Sequence, residues 1–372
     1  MMMSHNTVKS LYIHVPFCST ICHYCDFCKV LYYKPWVALY LERLKEEIQN
    51  TVETGELDTI YIGGGTPSVL DERELKELLE IVKPYSAYVK EYTMEINPET
   101  LTKEKVMLLK NYGINRASLG VQSFNESIVK RMNRQHHNQD VFDCISLLRE
   151  VGIDNISIDL IYGVEGMTKE MITDDVNFAA NLNIPHISYY SLLLEEHTVF
   201  HLTKMPELSQ EESSHYYSYI VDQLKKHGYH HYEVSNFAYE FFESKHNSVY
   251  WKNEQYYGVG CGASGYVGNL RYTNTKSINQ YLKGKTVFEK TELTKDDQAF
   301  ETLMLGLRMT KGISIKDFVK TYGNNRFQKI LPIIEKYYNN HLLVEESGYL
   351  KTTDKGMLLL DSILVEFLER LL

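Results

Sequence analysis

The chain has 372 residues, 44 % of them apolar and 24 % charged, a composition that supports a sizeable core and excludes whole-chain disorder. Its 39 Lys and Arg against 49 Asp and Glu leave a net charge of −10, which argues against nucleic acid as main partner, since phosphate binding needs a cationic surplus. The apolar runs are shorter than the roughly 18 residues of a membrane span, and the opening Met1–Ser10 has no secretory apolar stretch, so a cytoplasmic protein is expected.

In chain order, six short runs rich in β-branched and aromatic residues predict strands: Leu11–Val15, Thr59–Ile62, Tyr92–Ile96, Arg116–Val121, Ile156–Ile161 and His186–Leu192. Helical stripes separate them. Leu75, Leu78, Leu79 and Val82 share one helix face, Val106 and Leu109 precede Gly113, and Val141, Ile145 and Leu148 precede Gly152. Strands alternating with helices imply parallel pairing through right-handed crossovers. The predicted class is therefore α/β, a partial (β/α)6 barrel open on one side.

Boundaries are expected at 1–235 for this core, 236–295 for a connecting segment, and 296–372 for a C-terminal domain. The stretch Tyr229–Asn274 is rich in Tyr, Gly and Asn and offers only short strand candidates such as Tyr232–Val234. Beyond it, helices over Asp297–Met309, Ile315–Tyr322 and Arg326–Asn339 precede a hairpin, Leu342–Glu346 and Tyr349–Thr352, and a last helix to Leu372. This is a small α+β, winged-helix-like pattern. The acidic balance favours a structural or partner-docking role for it over nucleic-acid binding.

The chemistry-bearing residues gather at strand ends. Cysteines follow the first strand, Gly63-Gly64-Gly65-Thr66-Pro67 the second, Glu95 ends the third, Gln122 follows the fourth, and Asp159 lies near the end of the fifth. In a parallel barrel these ends share one rim. Cys18-x3-Cys22-x2-Cys25 supplies three thiolates at offsets suited to three corners of an iron–sulfur cubane, which leaves one iron open. A single zinc ion would call for two separated pairs; structural zinc and reactive surface thiols are the alternatives.

Cys18-x3-Cys22-x2-Cys25 on the loop after the first predicted strand resembles the radical S-adenosylmethionine enzymes. More narrowly, GGGTPS at 63–68, EINPE at 95–99, GVQSFN at 120–125, DLIYG at 159–163, YEVSNFA at 232–238, HNSVYW at 246–251 and LMLGLR at 303–308 resemble the oxygen-independent coproporphyrinogen III oxidase group over nearly the whole chain. Within that group, the ten residues before the first strand, the displaced fourth cysteine in Cys25-Asp26-Phe27-Cys28, and His246-Asn247-x-x-Tyr250-Trp251 look like the haem-chaperone branch. The alternative is the oxidase itself, which decarboxylates porphyrinogen propionates, so whether the chain turns over a substrate stays open.

The resemblance implies a 4Fe-4S cluster on Cys18, Cys22 and Cys25, bound S-adenosylmethionine, and haem. Glu95 would face the ligand ammonium and Arg134 its carboxylate, Gln122 and Asp159 the ribose hydroxyls, and Tyr12 and Tyr24 would line the pocket. Gly64 and Gly65 would let backbone approach the ligand and Thr66 add a hydroxyl, the alternative being a plain tight turn. Leu192-Leu193-Leu194 stands where the oxidases present small residues to the adenine. Cys28 is read as a non-ligand. His246 is the haem-binding candidate, with His136-His137 and His230-His231 as competitors. The implied partners are haem and respiratory-chain haem proteins. The stripe Leu359, Ile363, Phe367 and Leu371 could touch a membrane peripherally, although such stripes more often pack on their own domain.

Overall fold

The structure, a computed structural model, describes residues 8–53 and 55–372. The six predicted strands form as β1 (Ser10–Val15), β2 (Thr59–Gly64), β3 (Glu91–Ile96), β4 (Arg116–Gln122), β5 (Asn155–Tyr162) and β6 (His186–Ser191). All are parallel and pair in sequence order, with Leu11 opposite Ile60, Ile60 opposite Tyr92, Met94 opposite Ala117, Leu119 opposite Ile158, and Ile158 opposite Ile187.

Because side chains alternate along a strand, this register sorts the residues into two faces. Leu11, Ile13, Ile60, Ile62, Met94, Leu119, Ile158 and Ile187 join the helices in one apolar core. The opposite parity is polar and bonded to itself between neighbouring strands: Thr59 to Ser10, Tyr61 to Glu95, Ser118 to Asp159, and Ser157 to His186.

The sheet runs on past residue 235. The antiparallel strands β7 (His230–Glu233) and β8 (Asn236–Ala238) extend it beyond β6, and β9 (Tyr257–Val259) adds a parallel strand outside β1. The nine strands leave β9 and β7 unpaired to each other, so the barrel is open. The segment after β9 forms a further antiparallel sheet from Ser264–Val267, Leu270–Asn274 and Val287–Glu292. Helix α1 (Lys34–Thr51) anchors this returning segment through one buried carboxylate. Glu47 accepts from the Gly260 N–H at 3.0 Å, Asn274 Nδ2 at 2.6 Å and the Tyr281 hydroxyl at 2.6 Å.

Residues 299–371 build a separate core around Leu303, Ile330, Ile334, Leu350, Ile363 and Phe367. Its hairpin turns at Ser347 and Gly348, both at positive φ (54° and 80°), as a two-residue primed turn requires. Ile313–Ser314 adds a third strand to it. Of the C-terminal stripe, Ile363, Phe367 and Leu371 are buried in this core and only Leu359 is exposed. Among the described residues no helix is long and apolar enough to cross a membrane.

Glu47→Ala should strand three buried donors. At roughly 1–3 kcal/mol per unsatisfied group, partly relieved by local relaxation, the expected loss is about 3 kcal/mol. Urea denaturation should show it as a lower midpoint at unchanged slope, and a loss below about 1 kcal/mol would contradict the anchoring role.

Candidate functional site

The cysteine loop is closed at its base. Phe17–Cys18 pairs in parallel with Val30–Leu31, through Val30 N–H to the Pro16 carbonyl and Tyr32 N–H to the Cys18 carbonyl, each 2.8 Å. Its tip is held from the other side of the barrel mouth, where Asn133 Nδ2 donates to the Ile21 carbonyl at 2.9 Å and His23 N–H to the Met132 carbonyl at 3.1 Å. The three thiols thus face a cleft of about 410 Å³ at the carboxyl ends of β1–β6. Cys18, Cys22, Cys25, Tyr24, Gly64, Gly65, Thr66, Glu95, Gln122, Arg134 and Asp159 all line it.

The glycine run that lines the cleft also makes room within the protein. A Cβ on Gly65 would lie 2.9 Å from Cys18 Sγ, and one on Gly64, at φ +116°, would enter the His14 ring at 2.7 Å. The space that a side chain would take is already filled by the protein, so these glycines admit Cys18 and His14 to the backbone. Gly64 N–H also donates to Glu95 Oε2 at 2.8 Å, while Tyr61 donates to Oε1 at 2.8 Å. Burial pushes the Glu95 carboxyl up to about 7, against the pull of these two donors.

Arg134 bridges the two sides of the mouth. Its Nη2 donates to the Gly120 carbonyl and to Asn97 Oδ1 (2.9 Å), and Nη1 lies 3.7 Å from Cys22 Sγ. Its buried Nε has no partner. Gln122 reaches the cleft through a bulge, with φ at 68° and the β4–β5 register slipping between Gly120 and Gln122. Asp159 accepts from Ser118 Oγ at 3.1 Å, and burial raises its pKa. Leu192 and Leu193 join Ile161 as an apolar wall. Asn97, which also donates to Thr66 Oγ1 at 3.2 Å, was not singled out in the sequence. Its position two residues after Glu95 on the same strand face was the available signal.

Three residues lie outside the cleft. Tyr12 sits below it, its hydroxyl 2.9 Å from His14 Nδ1 and its ring beside Tyr61. Cys28 points away from the other thiols, with its sulfur 3.6 Å from Cys261 Sγ and 3.3 Å from the Lys276 carbonyl. His246, on the helix Lys245–Trp251, corrects the expectation most. It is fully buried, with Nδ1 2.8 Å from Thr59 Oγ1, Nε2 2.8 Å from the Tyr250 hydroxyl, and its ring stacked on Tyr61. Burial lowers its pKa to about 3. Both ring nitrogens are occupied, which leaves none to ligate iron.

Residues 12–179 match the Radical SAM superfamily and residues 293–359 the HemN C-terminal domain. The heme chaperone HemW of Lactococcus lactis subsp. lactis (strain IL1403) is 42 % identical over 97 % of both chains. The chain belongs to the HemW family. Another relative of that name, from Bacillus subtilis (strain 168), is 39 % identical over 98 % of this chain and 100 % of its own. The coproporphyrinogen III oxidase HemN of Escherichia coli shares the fold, with a TM-score of 0.84 over 98 % of this chain and 91 % of that one at 22 % identity.

The cleft fits the cluster and S-adenosylmethionine that the HemW family's radical SAM fold implies. Three thiols open on it, a guanidinium with one unpartnered nitrogen lines it, and a carboxylate and two hydrogen-bonding side chains complete it. Anaerobic reconstitution should load about four irons per chain. Cys22→Ser should abolish this, whereas Cys28→Ser should retain it; equal loss in both would make Cys28 a ligand. The raised Glu95 pKa sets a second expectation. With burial holding the Glu95 carboxyl up at about 7, a ligand ammonium facing it would lose its charged partner as pH drops through that value; S-adenosylmethionine affinity is expected to fall there, and Glu95→Gln to flatten the calorimetric profile.

Proposed function

We propose that this chain is a cytoplasmic haem carrier that binds haem and delivers it to respiratory haem proteins, with peripheral contact at the membrane that holds them. In this reading it carries a 4Fe-4S cluster on Cys18, Cys22 and Cys25 and binds S-adenosylmethionine beside it. The observation that carries the reading is the near-full-length similarity to relatives named heme chaperones, 42 % and 39 % identical. The cysteine cleft supports the part of it that concerns the cluster and S-adenosylmethionine.

Each side chain has a definite task. Glu95, held by Tyr61 and Gly64, accepts from the ligand ammonium, and the Arg134 guanidinium faces its carboxylate. Gln122 and Asp159 take the ribose hydroxyls, while Ile161, Leu192 and Leu193 exclude water from the adenine side. When bound, the reduced cluster supplies an electron to the sulfonium centre, chemistry that belongs to the cofactor.

Reconstituted protein should bind haem saturably, and haem-loaded protein should restore the absorbance of haem-free respiratory membranes. Given S-adenosylmethionine, a reductant and coproporphyrinogen III, it should form no protoporphyrinogen. Multiple turnover in that assay would favour the oxidase, and absence of saturable haem binding would sink the carrier reading.

A further inference from the structure

Two cysteines that the cleft does not use meet behind it. Cys28 ends the loop that carries the three cleft thiols, and Cys261 stands in the turn Gly260-Cys261-Gly262 directly after β9. Their sulfurs lie 3.6 Å apart, although the residues are 233 positions apart in the chain. The turn is shaped for this contact. Gly260 and Gly262 both hold positive φ, at 97° and 84°. A Cβ on Gly262 would overlap the Cys28 side chain, and one on Gly260 would overlap the His14 carbonyl.

Both backbones are held in place. The Cys28 carbonyl lies 2.7 Å from His14 Nε2, and Val30 N–H donates to the Pro16 carbonyl at 2.8 Å. On the other side Glu47 accepts from the Gly260 N–H at 3.0 Å, and Asn274 Nδ2 donates to the Gly260 carbonyl at 2.9 Å. The sulfurs face consecutive carbonyls, Cys28 Sγ that of Lys276 at 3.3 Å and Cys261 Sγ that of Thr275 at 3.2 Å. An S–S bond is about 2.05 Å long. The remaining gap is of the size that two thiol side chains close by turning about their Cα–Cβ bonds.

We infer that Cys28 and Cys261 are a redox-active pair, which a peroxide converts to a disulfide that fastens the end of the cysteine loop to the turn after β9. Cys28 is the sulfur nearer solvent, at 7 % exposure against 0 % for Cys261. Its thiolate attacks one peroxide oxygen, the O–O bond breaks, and the hydroxide that leaves takes up the proton the thiol gave. Sulfur is oxidised by two electrons to a sulfenic acid and the peroxide is reduced. The Cys261 thiol then attacks that sulfur, the S–O bond breaks, and water leaves with the Cys261 proton. Two thiols and hydrogen peroxide thus give one disulfide and two waters. The Cys261 thiol, donating toward Cys28, lowers the Cys28 pKa and favours the first step. Neither sulfur lines the cleft, so the bond draws on none of Cys18, Cys22 and Cys25. In a reducing compartment it is reversible, since thiol reductants open it again.

Stoichiometric hydrogen peroxide is the probe, added anaerobically to the reconstituted full-length chain. An acid quench and N-ethylmaleimide in denaturant then block the remaining thiols. Cleavage before Asp26 separates Cys28 from Cys18, Cys22 and Cys25, so the peptide joined to Cys261 identifies its partner by mass. The main disulfide should be Cys28–Cys261, two hydrogens lighter than its parts, and dithiothreitol should restore both thiols. Cys144, buried within the helix Asn138–Glu150, should be alkylated throughout. Cys261→Ser should arrest Cys28 as a sulfenic acid, which dimedone traps several-fold more than in the unaltered chain. If Cys28 and Cys261 both remain alkylated after peroxide, or if the disulfides join Cys18, Cys22 and Cys25 instead, the pair is overturned. The linked peptide is read on the unaltered chain and does not depend on how Cys261→Ser folds.

Discussion

Each strand of this open barrel turns one face to helices and the other to a narrow interior, where polar groups pair with one another, with Thr93 Oγ1 and two nitrogens of Arg116 left without a partner. Buried polar groups left unpaired cost about 1–3 kcal/mol each, so the interior resolves into fixed pairs. Ser10 and Thr59, Tyr61 and Glu95, Ser118 and Asp159, and Ser157 and His186 are the result. The positions of the functional side chains follow from this pairing. Glu95 is aimed by Tyr61 and Gly64, and Asp159 is aimed by Ser118, before any ligand arrives.

Against that background the exceptions are informative. Arg134 is buried yet leaves Nε without a partner, and Gln122 sits in the left-handed backbone region that non-glycine residues rarely adopt. Both face the cysteine cleft. Two locally unfavourable states at one cleft, held by a rigid sheet and a closed loop, are what a site organised in advance of its ligand requires.

The strands and the site rim were legible in the sequence because each rests on local pattern. β-branched runs marked β1–β6, and the cysteine spacing and strand-end positions placed Glu95, Gln122 and Asp159 on one rim. What escaped rests on distant contacts. β9 has only three residues, and Glu47 holds the segment behind it from more than 200 positions away; no window of sequence contains both partners. Asn97 and Tyr61 could have been found by extending the strand parity from Glu95 and Gly63. His246 could not be told from a ligand by its motif. Thr59, nearly 190 residues earlier, takes one ring nitrogen, and the motif's own Tyr250, one helical turn on, takes the other.

The stacking of His246 on Tyr61 ties the helix Lys245–Trp251 to the cysteine cleft. Tyr61 lines that cleft, with Tyr12 and His246 against its ring. Its hydroxyl is also one of the two donors that hold Glu95. A change at His246 would therefore be felt at the carboxylate of the cleft through a single intervening ring, although His246 itself reaches nothing that the cleft could bind.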